Sequence, residues 1–89
     1  MDYPIKTPSQ LGMILQAVRK ERRETQHSVA AHGGLLQKTV SLLERSPERA
    51  TVNSLLALVA ALDAEIVLRP RNVGPDEIAS ANSAPVPEW

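Results

Sequence analysis

Across residues 34–45, GLLQKTVSLLER, a helical reading sorts the side chains into two stripes. Leu36, Val40 and Leu43 fall at i, i+4 and i+7 and form an apolar stripe. Gln37, Lys38, Ser41 and Arg45 form the other, which offers an amide, a hydroxyl and two cations with no acid among them. An ordinary solvated face mixes Glu with Lys. This one is suited to hydrogen-bonded recognition rather than to bond breaking, and the rest of the chain offers little for catalysis. His27 and His32 lie five apart and point to different sides of a helix, so they do not share a metal. No nucleophile stands at a convincing spacing from a base, and Gly33-Gly34 reads as a turn, not as a phosphate loop. Neither enzyme activity nor a cofactor is expected.

The elements that must hold that stripe are short. Eighty-nine residues make one small domain, near the lower limit for an unstapled core. Without Cys there are no disulfides or thiolate metal sites, which suits a reducing cytoplasm. The apolar runs are too short to span a membrane, and residues 1–10 lack a signal-peptide pattern. There is no Phe, and the lone Tyr3 and Trp89 lie at the ends of the sequence, so the core must be aliphatic. So lean a core suggests that a second copy of the chain adds stability. Net charge is zero, yet residues 1–49 carry eight basic and five acidic residues, and residues 50–89 carry two and five. A basic front and an acidic back fit a protein with two partners of different kinds.

Residues 1–7 lack periodicity and read as an arm. Thr7 caps a first helix with Pro8 at its opening position. Leu11, Ile14, Leu15 and Val18 form its inner face, and RKERRE (19–24) ends it in charge. Thr25 caps a second helix, Gln26–His32, with Val29 and Ala30 inward, stopped by Gly33-Gly34. A third covers about Gln37–Arg45, SPER (46–49) is a loop, and Thr51 caps a fourth with Val52, Leu55, Leu58, Val59 and Leu62 on its buried side. In AEIVLR (64–69) the β-branched Ile66 and Val67 mark a strand that Pro70 ends. A lone strand leaves its backbone unsatisfied, so Glu65, Ile66, Val67, Leu68 and Arg69 are expected to pair with the same strand of a second copy. Antiparallel pairing about Val67 sets Glu65 opposite the partner's Arg69. Residues 70–89 hold few core-forming residues and read as a disordered tail.

Residues 25–44, TQHSVAAHGGLLQKTVSLLE, are two helices joined by a glycine turn. Ala30 is small where the next helix crosses, Gly34 admits positive φ, and Leu35, Val40 and Leu43 pack the second helix on the first through Val29. The TQ opening, the Ala, the Gly turn and the closing V-S-x-L-E resemble the helix-turn-helix of the Xre/Cro repressor family, and the likeness runs from about Thr7 to Leu68. Length, arm, late strand and tail resemble the HipB-type antitoxins of that family. Gly33, where relatives place an apolar residue, and Leu36, where they often place a polar or basic one, depart from the pattern.

The resemblance implies an all-α, four-helix, lambda-repressor-like domain over residues 8–69, with one short C-terminal strand pairing across a dimer. It implies a cytoplasmic, nucleoid-associated homodimer that represses its own operon and restrains a HipA-type serine/threonine kinase. The stripe then acquires a chemical reading. Gln37 bonds an adenine through N6 and N7, and Lys38 reaches guanine or a phosphate. Ser41 meets a base edge or the neighbourhood of a thymine methyl. Thr39 and Gln26 contact phosphate, and Arg45, with Arg22 and Arg23 behind it, neutralises backbone charge. Glu44 is structural, pairing with a nearby Arg or capping a loop. Two recognition helices about 34–36 Å apart call for a palindromic operator. Trp89 reads as an anchor on the kinase, since a bulky aryl group is costly to expose without purpose. The alternatives are a stand-alone repressor of the same fold and a protein-interaction adaptor that binds no DNA.

Overall fold

The structure, a computed structural model, describes residues 2–71. Four helices follow one another: α1 (Pro8–Glu21), α2 (Gln26–Gly33), α3 (Gln37–Arg45) and α4 (Val52–Ala61), with a 3-10 turn at Pro47–Arg49. The three expected threonine caps form. Thr7, Thr25 and Thr51 accept hydrogen bonds from the backbone N–H of Gln10, Ser28 and Ser54 at 3.1, 3.0 and 3.0 Å. Pro8 opens α1.

Three helices stop in the same way, with a left-handed residue and a backbone bond that reaches back five positions. Gly34 (φ 67°) ends α2 and the Leu35 N–H donates to Ala30 O at 2.8 Å. Arg23 (φ 58°) and Asp63 (φ 55°) do the same for α1 and α4, with Glu24 N–H to Arg19 O at 3.2 Å and Ala64 N–H to Val59 O at 3.0 Å. Only one of the three is a glycine, which is why the sequence marked only that one.

The core is aliphatic, as expected: Leu15, Val29, Ala30, Val40, Leu43, Leu58, Val59 and Leu62. Leu11, Val18, Leu35, Leu55 and Ala61 pack around it. α3 lies against α1 and α2, and α2 against α4. Two glycines allow these approaches. A Cβ on Gly12 would stand 2.5 Å from the Glu44 carbonyl oxygen, so α1 touches the backbone of α3 there. A Cβ on Gly33 would meet Ala61 Cβ at 3.1 Å and Ala57 O at 3.3 Å, so the departure at Gly33 accommodates α4.

Several expectations need correction. Leu36 is not part of the buried stripe, being 62% exposed. Its backbone is extended (φ −82°, ψ 146°), so it precedes the helical wheel, and Leu35 takes the inward place. Val52, the first residue of α4, is 70% exposed for a similar reason: it lies at the helix end, beyond the core. Within RKERRE, the charged end of α1, Arg19 is buried. SPER is not wholly irregular, since it makes the 3-10 turn. Residues 64–70 form no strand in the single chain, because a strand is defined by a partner ladder. Ile66, Val67 and Leu68 lie exposed there, and the Arg69 guanidinium donates to Asp2 at 2.8 Å. The expected tail, residues 70–89, lies outside the described residues but for Pro70 and Arg71.

Candidate nucleic-acid interface

The roll of α3 is fixed from inside. Val40 and Leu43 are 0% exposed, filling the space between α1, α2 and α4. With those two pinned, Gln37, Lys38 and Arg45 are exposed, and Thr39 and Ser41 are half-buried. The stripe read from the sequence is therefore a real edge of the molecule, exposed at Gln37, Lys38 and Arg45 and partly covered at Ser41. The Arg45 Nε donates to its own helix at Ser41 O, 3.4 Å away, so its guanidinium runs back along α3.

Gln26 joins this edge from another element. At the first turn of α2 it is half-buried, and its Nε2 donates to Glu44 Oε1 at 3.2 Å. Glu44 is the hub of the cluster. It accepts from Arg19 twice, Nε to Oε2 at 2.6 Å and Nη2 to Oε1 at 3.1 Å, in a fork-to-carboxylate geometry. The Arg19 Nη1 donates to Glu24 O at 2.8 Å, which closes the α1–α2 turn. The hydrogen bond to Glu44 raises the guanidinium pKa above its ordinary value, against the opposing pull of burial. One buried ion pair thus ties α1 to α3 and holds the amide of Gln26 beside the end of α3. The structural reading of Glu44 holds, and its partner is an arginine that had been assigned to a charged helix end. Sequence could have marked Gly12, a glycine inside an otherwise regular helix, as a close-packing position. Nothing in the sequence singled out Arg19 among its five charged neighbours.

Other candidate groups stand apart. His27 is exposed, while His32 Nδ1 lies 3.1 Å from Glu24 Oε1. Among the described residues no three of His, Cys, Asp or Glu are grouped to hold a metal ion. No described helix is long and apolar enough to cross a membrane. Glu65–Arg69 line a separate groove with the arm, α1 and α4, so the structure does not bring them into the α3 edge. Trp89 lies outside the described residues.

Four short helices, with the second and third set as a helix-turn-helix, give this chain a fold like that of Xre/Cro-type DNA-binding regulators. Within that class the chain resembles HipB. It superposes on HipB solved in a HipA–HipB–O2–O3 complex with a TM-score of 0.75 and 25% identity, over 80% of this chain and 100% of that one. A single-substitution variant of HipB in an O2 20mer complex gives the same score over 81% of this chain. The restriction-modification controller protein C.AhdI from Aeromonas hydrophila matches with a TM-score of 0.60 and 28% identity, over 65% of this chain and 88% of that one. An uncharacterized HTH-type transcriptional regulator, y4dL, of Sinorhizobium fredii is 36% identical over 61 residues. That match takes in 68% of this chain but only 31% of y4dL, so the chain spans about a third of that relative's length. No protein-family model matches the chain.

Proposed function

We propose that this chain is a sequence-specific DNA-binding antitoxin that represses its own operon and restrains a HipA-type serine/threonine kinase. The observation that carries the DNA half is the uncovered edge of α3: Gln37, Lys38 and Arg45 point outward from a helix whose inner residues are fully buried. Gln37 offers the bidentate amide that matches adenine N6 and N7, Lys38 a donor for guanine or phosphate, and Ser41 a hydroxyl near a base edge. Gln26, Thr39 and Arg45 position the helix on phosphates. The kinase half is supported by the likeness to HipB, which has been solved in a complex with HipA. A homodimer closed by Glu65–Arg69 would present two copies of α3 to a palindromic operator.

The test is binding to a duplex selected from a random pool by the full chain. Gln37→Ala should weaken binding by about 1–3 kcal/mol and relax preference at one base position. Lys38→Ala or Arg45→Ala should weaken all sequences alike and flatten the salt dependence. Normal binding and unchanged preference in Gln37→Ala would remove the base-contact assignment. For the kinase, Trp89 supplies the aryl anchor. Loss of Glu88-Trp89 should reduce capture of a HipA-type kinase and leave duplex binding intact. Equal capture after truncation counts against the anchor.

A further inference from the structure

At the head of α3 the sequence accepts two local costs at one position. Leu36 is the N-cap residue, yet leucine has no side-chain acceptor, and α3 begins without the side-chain cap bond that α1, α2 and α4 possess. Leu36 also leaves a large apolar side chain mostly in water, although its neighbour Leu35 is packed against the core. A residue that neither caps nor packs, immediately before Gln37 and Lys38 on the exposed edge, breaks the agreement between local preference and fold that marks a purely structural position. Its extended backbone turns Leu35 inward and Leu36 outward, so the exposure follows from chain geometry and not from a loose side chain.

The major groove displays one apolar group on its base edges, the 5-methyl of thymine. We propose that Leu36 packs on a thymine methyl adjacent to the base read by Gln37, making it a specificity-determining residue. This inference rests on the DNA-binding reading above. It gives Leu36 an apolar partner in the complex and explains a branched aliphatic where a capping hydroxyl or amide would serve the free protein better.

Deoxyuridine isolates the contact, because it keeps every hydrogen-bonding group of thymidine and lacks only the methyl. The probe is the duplex selected by the full chain, with each dT replaced in turn by dU. One position per half-site should be sensitive, weakening binding about fourfold singly and roughly fifteenfold when both halves are changed. Leu36→Ala should abolish sensitivity at that position and no other, while Leu36→Met should retain it. Leu36→Asn should raise the urea midpoint, because it restores a cap, and should lose the methyl preference at the same time. A purely structural role for Leu36 would leave the pattern of dU sensitivity unmoved. Indifference to dU at every position, or undiminished sensitivity in Leu36→Ala, overturns the inference and leaves DNA binding standing. Failure of the full chain to select any duplex overturns the DNA-binding reading and this inference with it.

Discussion

The crossing of α1 over α3 and the stretch from Ala64 to Arg71 solve opposite problems with the same residue types. At the crossing, an arginine and a glutamate are buried together and fully engaged: the Arg19 and Glu44 side chains are only 10% and 3% exposed. In the late stretch, Arg69 meets Asp2 in open solvent, and among the described residues Ile66, Val67 and Leu68 are 53, 67 and 93% exposed. Charge is inside where helices cross, and aliphatic surface is outside where the helical unit ends. The first region is complete within one chain. The second carries aliphatic residues that the described part of the chain leaves largely exposed.

If the crossing is self-contained, breaking its ion pair should give the largest loss of stability in the molecule. Arg19→Ala leaves the Glu44 carboxylate buried with only the Gln26 amide for company, and should cost about 3–5 kcal/mol in urea unfolding. A double replacement, Arg19→Met with Glu44→Met, should recover much of that, because desolvation of both charges disappears with them. A loss under about 1 kcal/mol for the single change would mean that the pair contributes as an exposed one does, and the contrast between the two regions would collapse. Gly12→Ala should come next. Alanine favours a helix by about 1 kcal/mol over glycine, yet its Cβ would collide with the Glu44 carbonyl, so a net loss of about 1–3 kcal/mol is expected. A gain in stability would show that α1 can move off α3 at little cost.

The sequence predicted well whatever is decided within a few residues. The extent of α3, the threonine caps and Gly34 all follow from local chemistry, and all are where spacing put them. It failed where a side chain's fate depends on what crosses it. Arg19 sits in a run of charge that looks uniform until α3 lies over one member of it. Leu36 and Val52 fit the apolar spacing of the sequence but stand at helix ends, where they are mostly exposed. Arg23 and Asp63 occupy left-handed positions that glycine would have advertised. The outer edge of α3 was legible because its inner residues were: once Val40 and Leu43 are placed, Gln37, Lys38 and Arg45 have no choice but to face out.

The smallest expected effect addresses the second region. In the single chain Arg69 is held by Asp2, whose carboxyl is pulled below its ordinary value by that hydrogen bond and by the positive charge. Because the folded-state value is depressed, any contribution of this pair is present above the unfolded value and is lost as pH falls through the acid range. Both side chains are largely exposed, so Asp2→Asn should leave the urea midpoint unchanged at neutral pH. Arg69→Glu should likewise spare the helical unit. If Glu65 faces the partner's Arg69 across a two-stranded ribbon, however, that reversal places like charges opposite each other twice in a symmetric dimer. Dissociation should then ease by about two- to thirty-fold, measured by sedimentation. Exchanging both positions, Glu65→Arg with Arg69→Glu, restores opposite charge at each crossing and should restore the dimer. Recovery in the double variant distinguishes the ribbon register from a general effect of charge, because the arm's Asp2 would still face a glutamate at position 69. A dimer indifferent to all three changes would place the exposed aliphatics of this stretch in some other contact.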